Sequence, residues 1–184
     1  GYRLSTHLHK ERDEKLKIGP IWDFNLSFGN ADYCGGNQFD IWTFEFNNRC
    51  PGDFWNVPFW WKRFLEDEAF VNDLKIRWFD LRSNILSDHS LENMVNNEFD
   101  LLYNKTEAAK RNFSKWKILE NYVWPNSFIG GTYKNEIDFL KNWLRNRCLW
   151  LDKSINELEL HEIAFLAALP KAPNNYNPKT NYNK

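Results

Sequence analysis

Several features that would assign this sequence to a common class of protein are scarce or missing. No apolar stretch approaches the length of about 20 residues that a membrane-spanning helix requires. The net charge of −1 lacks the basic excess that is typical of a nucleic-acid-binding domain. Phosphate-binding glycine loops, dinucleotide-binding fingerprints and serine-nucleophile elbows are absent. The sequence therefore gives no support for a membrane-spanning protein, a nucleic-acid-binding domain, a dehydrogenase or a serine hydrolase.

Cysteine is also scarce, with three residues in a chain of 184, and no spacing is typical of a zinc site. Cys34 and Cys50 flank a loop-like segment, whereas Cys148 falls in a strongly helical pattern. A Cys34–Cys50 disulfide would close this loop and would imply an oxidising compartment. Two separate buried thiols are an equally good interpretation, because spacing along the chain does not establish disulfide geometry.

Aromatic side chains are abundant: they make up 17% of the residues and include ten tryptophans. Trp and Tyr combine a large apolar body with one polar group that requires a partner. This content favours a well-filled core. The alternative is an exported protein that handles glycans and stacks sugar rings on exposed aromatic side chains.

The N-terminal stretch predicts a β-hairpin. Apolar and polar residues alternate from Tyr2 to His9, a polar run over residues 10–15 forms the turn, and residues 16–22 provide the second strand, interrupted at Gly19-Pro20. Residues 29–57 are loop-like. A loop of this length in a compact domain is usually functional or held down by other contacts.

From Pro58 onward the apolar spacing becomes helical, and Pro58 itself suits a first helical turn. A second helix is predicted over residues 68–86 and a third over 90–119. Thr132 is a predicted N-cap for a fourth helix that ends near Leu160. The predicted fold class is therefore α+β, a short β-hairpin followed by a mainly helical lobe, with a domain over residues 1–162 and an extended or disordered tail over 163–184.

The most informative segment runs from Gly19 to Asn30 and contains Asp23-Phe24-Asn25 directly after the hairpin. A carboxylate at the end of a strand can reach a cavity at the sheet edge, and Mg²⁺ prefers such hard oxygen ligands. In protein kinases, an Asp-Phe-Gly triplet after a short hairpin supplies this carboxylate. Here the third residue is Asn25, so the triplet alone is equally compatible with an Asp that forms a turn.

The longer string from Pro20 to Asn30 closely resembles the hallmark of the CotH (spore coat protein H) kinase family. The resemblance covers roughly residues 1–155 and continues through downstream segments rich in aromatic residues. These segments are Phe59–Arg63, the helix containing Trp78, Tyr122–Asn126 and Trp143–Asp152. Aromatic residues that recur along the chain in this way are typical of secreted family members in gut-type Bacteroidetes. The chain thus resembles the C-terminal part of a CotH-type kinase domain, equivalent to the C-lobe of an atypical protein kinase.

This resemblance implies a kinase that uses ATP with Mg²⁺ or Mn²⁺ and phosphorylates Ser or Thr hydroxyl groups on exported or cell-surface proteins. Asp23 would be the metal-binding aspartate. Asn25 would either support or join the metal site, or be a turn residue whose side chain bonds to backbone. Ser5 falls where typical kinases place a second metal-binding residue, although a hydroxyl is a poorer ligand than a carboxylate.

By the family's spacing, the catalytic aspartate is expected immediately before Gly1, and the ATP-binding lobe further upstream. No catalytic residue is therefore assigned within this chain, and we expect the polypeptide alone to lack kinase activity. A non-catalytic surface-structural or glycan-binding module on a kinase-like scaffold is the alternative, because a fold does not fix a function. A kinase for small molecules or glycans would use the same metal site with a different acceptor groove.

Other polar residues are weaker candidates. His7 and His9 share one strand face, but without a third ligand at a suitable spacing they are expected to face solvent. Lys62 and Arg63 could meet phosphate, although an exposed helix face is the simpler interpretation. Four loop carboxylates could contact a peptide or glycan acceptor but are expected to be solvated. They are Asp32, Asp40, Glu45 and Asp53.

Overall fold

The computed structural model describes residues 5–54 and 56–158. Within them, a two-stranded antiparallel hairpin precedes six α-helices, which confirms the predicted α+β class. Strand β1 (Leu8–His9) pairs with β2 (Lys17–Ile18), with Leu8 opposite Ile18. The Gly19 amide also donates to the His7 carbonyl, at 3.0 Å. The hairpin is shorter than predicted on this side because Pro20 has no N–H with which to continue the ladder.

The segment between the hairpin and the helices, predicted as a loop, contains one short helix and is tied at several points. A 3₁₀ turn (Thr43–Glu45) leads into α1 (Phe46–Arg49). The structure joins Cys34 and Cys50 in a disulfide, with their Cα atoms 5.4 Å apart. Asn47 also exchanges two hydrogen bonds with the backbone of Val57, at 2.7 and 2.9 Å. The loop is therefore held by side chains rather than by strand pairing.

Two helices follow this loop. Helix α2 (Trp60–Arg63) is a single turn that continues as a 3₁₀ turn to Glu66, and α3 spans Glu68–Ser83. The predicted start of α3 is confirmed. Asp67 caps it, its carboxylate accepting from the amides of Ala69 and Phe70 at 2.9 and 3.2 Å.

The prediction of one continuous helix over residues 90–119 is wrong. The structure has α4 (Asp88–Phe99), a π-helical segment (Asp100–Lys105) and a separate α5 (Ala108–Lys115). Thr106 accounts for the break, because its hydroxyl and its amide both donate to the Leu101 carbonyl, at 2.7 and 2.9 Å. Local bonding of this kind competes with the helical ladder, and Glu107 then adopts a left-handed φ of 52°.

Helix α6 (Tyr133–Asn156) is the longest element and packs against α3 and α4. Its predicted cap is confirmed, since Thr132 Oγ1 accepts from the Asn135 amide at 3.2 Å. Lys75 of α3 donates to the Asn156 and Leu158 carbonyls at the other end, at 3.1 and 2.6 Å. The helix ends at Asn156, four residues before the predicted end near Leu160. The predicted tail over 163–184 lies outside the described residues.

The expectation that aromatic residues fill the core is met only in part. A stack of rings joins α4, the π-helical segment, α5 and α6; its members are Phe99, Tyr103, Phe113 and Tyr133. In contrast, Trp22, Trp116 and Trp124 are 62%, 61% and 71% exposed. None of the described helices has the length and apolar character needed to cross a membrane.

Candidate functional site

The candidate metal-binding residue, Asp23, lies just beyond the hairpin with its side chain exposed. Its φ of 59° is left-handed, a conformation that Asp and Asn adopt more readily than most residues. Its Oδ2 atom accepts a hydrogen bond from Ser5 Oγ at 3.3 Å, and Ser5 is buried, with 7% of its surface exposed. The structure therefore brings together two residues that the sequence singles out separately.

The hairpin explains why Ser5 and Asp23 meet. Leu8 pairs with Ile18, and the Gly19 amide bonds to the His7 carbonyl, so the chain entering β1 runs beside the chain leaving β2. Ser5 lies on the entering segment and Asp23 on the leaving one. The hairpin therefore brings the two segments side by side, and its register, if continued, would place Ser5 opposite Ile21, two residues before Asp23.

The segment after Asp23 folds into two consecutive turns. The Ser27 amide donates to the Phe24 carbonyl at 3.0 Å, and the Asn30 amide donates to the Ser27 carbonyl at 3.2 Å. Asn25 contributes its backbone carbonyl, which accepts from Asn30 Nδ2 at 2.9 Å. Asn25 thus takes part in the turn through its backbone, whereas a side-chain bond to the backbone is what the turn interpretation of the sequence led us to expect. The Asn25 side chain is exposed.

Gly29 and Trp143 anchor this turn to α6. Gly29 has a φ of +82°, and a Cβ atom on it would lie 2.4 Å from Trp143 Nε1. The Phe28 ring meets the same indole edge to face, with centroids 6.1 Å apart. Ser127 donates its hydroxyl hydrogen to the Gly29 carbonyl. The position of Asp23 therefore depends on contacts with residues more than 90 positions away.

Among the loop carboxylates, Asp32 accepts a hydrogen bond from the Tyr122 hydroxyl. This bond, together with burial and the carboxylate's charge, raises the pKa of Tyr122. The Asp32 amide donates to the Pro125 carbonyl at 2.9 Å. Asp40 and Glu45 are exposed, as expected, whereas Asp53 is half-buried beside the disulfide.

The weaker candidates do not form a second site in the part of the chain that the structure describes. His7 and His9 are exposed. Lys62 and Arg63 are exposed at the end of α2, with Arg63 Nε 3.8 Å from Glu66 Oε2. A group of three possible metal ligands does occur at Cys34, Cys50 and Asp53. Its two sulfur atoms are bonded to each other, so this group does not support a thiolate metal site.

Sequence reasoning missed the residues of α6 that hold the loop. Trp143 Nε1 donates to the Asn37 carbonyl at 3.0 Å, and Arg147 Nη1 donates to the carbonyls of Phe39 and Ile41, each at 2.6 Å. The Arg147 guanidinium also lies over the Trp150 ring, 4.7 Å from its centroid. These partners are more than 100 positions apart, so no local pattern could have indicated them.

Comparisons with known proteins give one match that extends over most of the chain. The family description "CotH kinase protein" matches residues 1–151. Penicillin-binding protein 1A of Rickettsia typhi is 40% identical over 74 residues, which are 40% of this chain and 8% of that protein. Its counterpart in Rickettsia conorii is 39% identical over 72 residues, again 8% of its length. The matches thus span a small fraction of these curated relatives. No solved structure matches the chain.

Proposed function

The chain belongs to the CotH kinase protein family, and on this premise we propose that it carries the metal-binding part of a kinase that transfers phosphate from ATP to hydroxyl groups on exported or cell-surface proteins. In this proposal residues 1–162 form the C-terminal part of the kinase domain. Its catalytic aspartate and ATP-binding lobe are assigned to sequence outside this segment, so the 184-residue chain by itself transfers no phosphate.

The contact between Ser5 Oγ and Asp23 Oδ2, at 3.3 Å, is the observation that carries this proposal. Both atoms are hard oxygen donors of the kind that Mg²⁺ and Mn²⁺ select. Two neighbouring ligands of one octahedral Mg²⁺ lie roughly 3 Å apart, as expected for metal–oxygen distances of about 2.1 Å. The donor set and its spacing therefore fit a divalent cation, with Asp23 as the charged ligand and Ser5 as the weaker neutral one.

A divalent cation bound there would neutralise phosphate charge and align the phosphates of ATP for transfer. The chain's own contribution is to hold the carboxylate in place. The left-handed backbone at Asp23 and the hydrogen bond from buried Ser5 limit its orientation. The turn stabilised by Asn30 and the packing of Gly29 against Trp143 fix the segment that follows. Positioned groups of this kind account for most of catalysis in phosphoryl transfer.

The disulfide between Cys34 and Cys50 supports an extracytoplasmic location in this proposal. Disulfides persist in oxidising compartments and are rare where thiols are kept reduced. An exported kinase would meet exported acceptor proteins, which agrees with the proposed substrate class. Beyond the hydroxyl group, the acceptor is defined only as an exported or cell-surface protein.

The test is calorimetric titration of Mn²⁺·ATP into protein expressed from the complete reading frame. Asp23→Asn is the informative variant, because Asn removes the charge and still tolerates a positive φ. Asp13→Asn is the matched control, since Asp13 is also exposed, also has a positive φ of 64° and lies in the hairpin turn.

We expect the Asp23→Asn variant to lose Mn²⁺·ATP binding at least tenfold and the Asp13→Asn variant to bind like the wild type. Phosphate transfer to a Ser- or Thr-containing protein should be lost in parallel with binding. Unchanged binding by the Asp23→Asn variant would remove Asp23 from the metal site. Absence of binding by the folded wild-type protein would rule out the kinase function.

A further inference from the structure

A group of exposed aromatic residues lies beside the turn that follows Asp23. The rings of Tyr33 and Trp124 are nearly parallel, with an interplanar angle of 18° and centroids 6.2 Å apart. Tyr122 donates its hydroxyl hydrogen to the carboxylate of Asp32. We call this surface, made of Asp32, Tyr33, Tyr122 and Trp124, the aromatic platform.

The aromatic platform is held in shape by the backbone beneath it. The Asp32 amide donates to the Pro125 carbonyl at 2.9 Å, which ties the segment carrying Tyr33 to the segment carrying Trp124. A second bond joins the same two segments: the hydroxyl of Ser127, two positions after Pro125, donates to the carbonyl of Gly29, three positions before Asp32. The platform is thus preorganised, and a ligand would need to order few groups on binding.

The aromatic platform exposes several large aromatic side chains to solvent. Trp124 is 71% exposed, Tyr122 53% and Tyr33 36%. A single exposed aromatic residue requires no explanation, because much of any protein surface is apolar. The exposed aromatic residues of the platform are clustered, come from two segments that are tied together, and lie beside a carboxylate. Such a surface resembles a recognition site, where rigid aromatic anchors are combined with a few polar groups.

We propose that the aromatic platform binds a neutral carbohydrate, with a pyranose ring lying on Trp124 and its hydroxyl groups donating to the carboxylate of Asp32. The apolar face of a sugar ring matches the flat indole, and its hydroxyl groups are donors that a carboxylate accepts strongly. A sugar acid would bring a second negative charge close to Asp32 and would be repelled.

The geometry disfavours two other ligands. A quaternary ammonium group is held by an aromatic cage whose rings surround it, but Tyr33 and Trp124 are nearly parallel. A proline-rich peptide presents carbonyl acceptors and few N–H donors, so it requires donors on the protein. The Tyr122 hydroxyl is already used on Asp32, so this donor is not available to the carbonyl groups of a peptide.

This proposal does not rest on the phosphotransfer activity, because none of its four residues belongs to the Ser5–Asp23 pair. It is tested by affinity electrophoresis of the protein through gels that contain hydroxyethylcellulose, soluble xylan or soluble starch. Polygalacturonate, a polymer of sugar acids, serves as the charged comparison. No ATP or metal ion is present, so failure of this proposal and failure of the kinase proposal remain distinguishable.

We expect at least one of the three neutral polysaccharides to retard the wild-type protein. Trp124→Ala should weaken this binding at least tenfold, and Asp32→Asn should weaken it about threefold to tenfold, because a charge-assisted hydrogen bond is lost. Trp116→Ala is the matched control: Trp116 has a similar exposure of 61%, lies at the end of α5 and is not one of the platform residues. It should leave the retardation unchanged.

Thermal unfolding checks that each variant is folded. If Trp124→Ala does not fold, Asp32→Asn, which preserves the shape of the side chain, still tests the proposal. The proposal is overturned if no neutral polysaccharide retards the wild-type protein, or if both platform variants bind as the wild type does. It is equally overturned if polygalacturonate binds more tightly than the neutral polymers. Release from the gel by a polyproline peptide would assign the surface to peptides instead.

Discussion

The indole of Trp143 fills the space that any side chain at position 29 would need, since a Cβ on Gly29 would lie 2.4 Å from its Nε1 atom. Gly29 also has a φ of +82°, which costs an L-residue about 1–2 kcal/mol. Overpacking adds about 1–3 kcal/mol. We expect Gly29→Ala to lower the free energy of unfolding by about 2–5 kcal/mol, measured by urea denaturation.

Gly52→Ala is the control for this substitution. No atom lies within 4 Å of a Cβ built at Gly52, so its free energy of unfolding should change by less than about 0.5 kcal/mol. Equal effects of the two substitutions would show that the contact between Gly29 and Trp143 does not constrain the turn.

The ion pair between Arg82 and Asp152 leads to a second prediction. Arg82 Nε lies 2.9 Å from Asp152 Oδ1, and its side chain is only 13% exposed. Arg82 also bonds to Asp88 at 3.0 Å, and Trp78 Nε1 donates to Asp152 at 2.9 Å. The bond to Asp152 foremost, and also the bond to Asp88, raise the pKa of Arg82. The network connects α3, the first turn of α4 and α6.

We expect Asp152→Ala to lower the free energy of unfolding by about 2–4 kcal/mol, because it leaves a largely buried guanidinium with one fewer partner. Asp80→Ala breaks a pair of similar length, 2.9 Å to Arg77, whose side chains are 56% and 69% exposed. That control should cost less than about 1 kcal/mol. If both variants lose a similar amount of free energy of unfolding, burial of the Arg82–Asp152 pair does not determine how much it stabilises the fold.

The sequence was informative where structure is decided locally. The side chains of Asp67 and Thr132 bond to amides two or three residues away, and the starts of both helices were predictable for this reason. The hairpin was also predictable from alternation and turn residues. Helix α4 was extended too far because apolar spacing continues through Thr106, whereas a hydroxyl-to-carbonyl bond ends the helix there.

The candidate site was only partly predictable. Asp23 and Ser5 were both indicated by the resemblance to the kinase family, and the hairpin brings the two segments that carry them side by side. The supports of the site were not predictable, because Trp143 and Ser127 reach Gly29 from distant parts of the chain. The exposure of Trp124 was not predictable either. Composition gives the number of aromatic residues but does not show which of them pack against other side chains.

The state of the three cysteines gives a third prediction. Cys34 and Cys50 form the disulfide, and Cys148 is free and buried. Alkylation of the denatured protein without reductant should modify Cys148 alone, and alkylation after reduction should modify all three, as read by peptide mass spectrometry. Modification of Cys34 or Cys50 without reductant would show that the bond is absent. In the native protein, Cys148 should react slowly because it is buried.

Cys148 also predicts how stability depends on pH. Burial raises the pKa of its thiol above the ordinary value of 9.0; Asp152 and Asp88 act in the same direction, while Arg82 and Arg147 oppose it. The unfolded chain therefore loses this proton at a lower pH than the folded one. The resulting stabilisation is fully present below pH 9.0 and is lost as the pH rises through the folded pKa.

We thus expect the free energy of unfolding to fall as the pH rises from 9 to 10, with a shallower fall in Cys148→Ala. Urea denaturation at several pH values measures the two slopes. Equal slopes would mean that the folded and unfolded thiols titrate alike.

The last prediction concerns how α6 restrains the loop after the disulfide-bonded Cys34. Arg147 donates to the carbonyls of Phe39 and Ile41 at 2.6 Å each, and its guanidinium lies over Trp150. A lysine keeps the charge but lacks the planar fork that reaches two carbonyls while stacking on a ring. Loss of these contacts should lower the free energy of local opening of the loop by about 1–2 kcal/mol. This change corresponds to roughly fivefold to thirtyfold faster hydrogen exchange in the loop.

Hydrogen exchange followed by mass spectrometry tests this directly. In Arg147→Lys, peptides covering residues 37–42 should exchange faster, while peptides from α3 should exchange at the wild-type rate. Arg145→Lys, on an exposed position of the same helix, should change neither. Faster exchange throughout the chain would mean that Arg147 supports the whole fold. Unchanged exchange in the loop would mean that its other attachments, among them Trp143, the disulfide and Asn47, suffice to hold it.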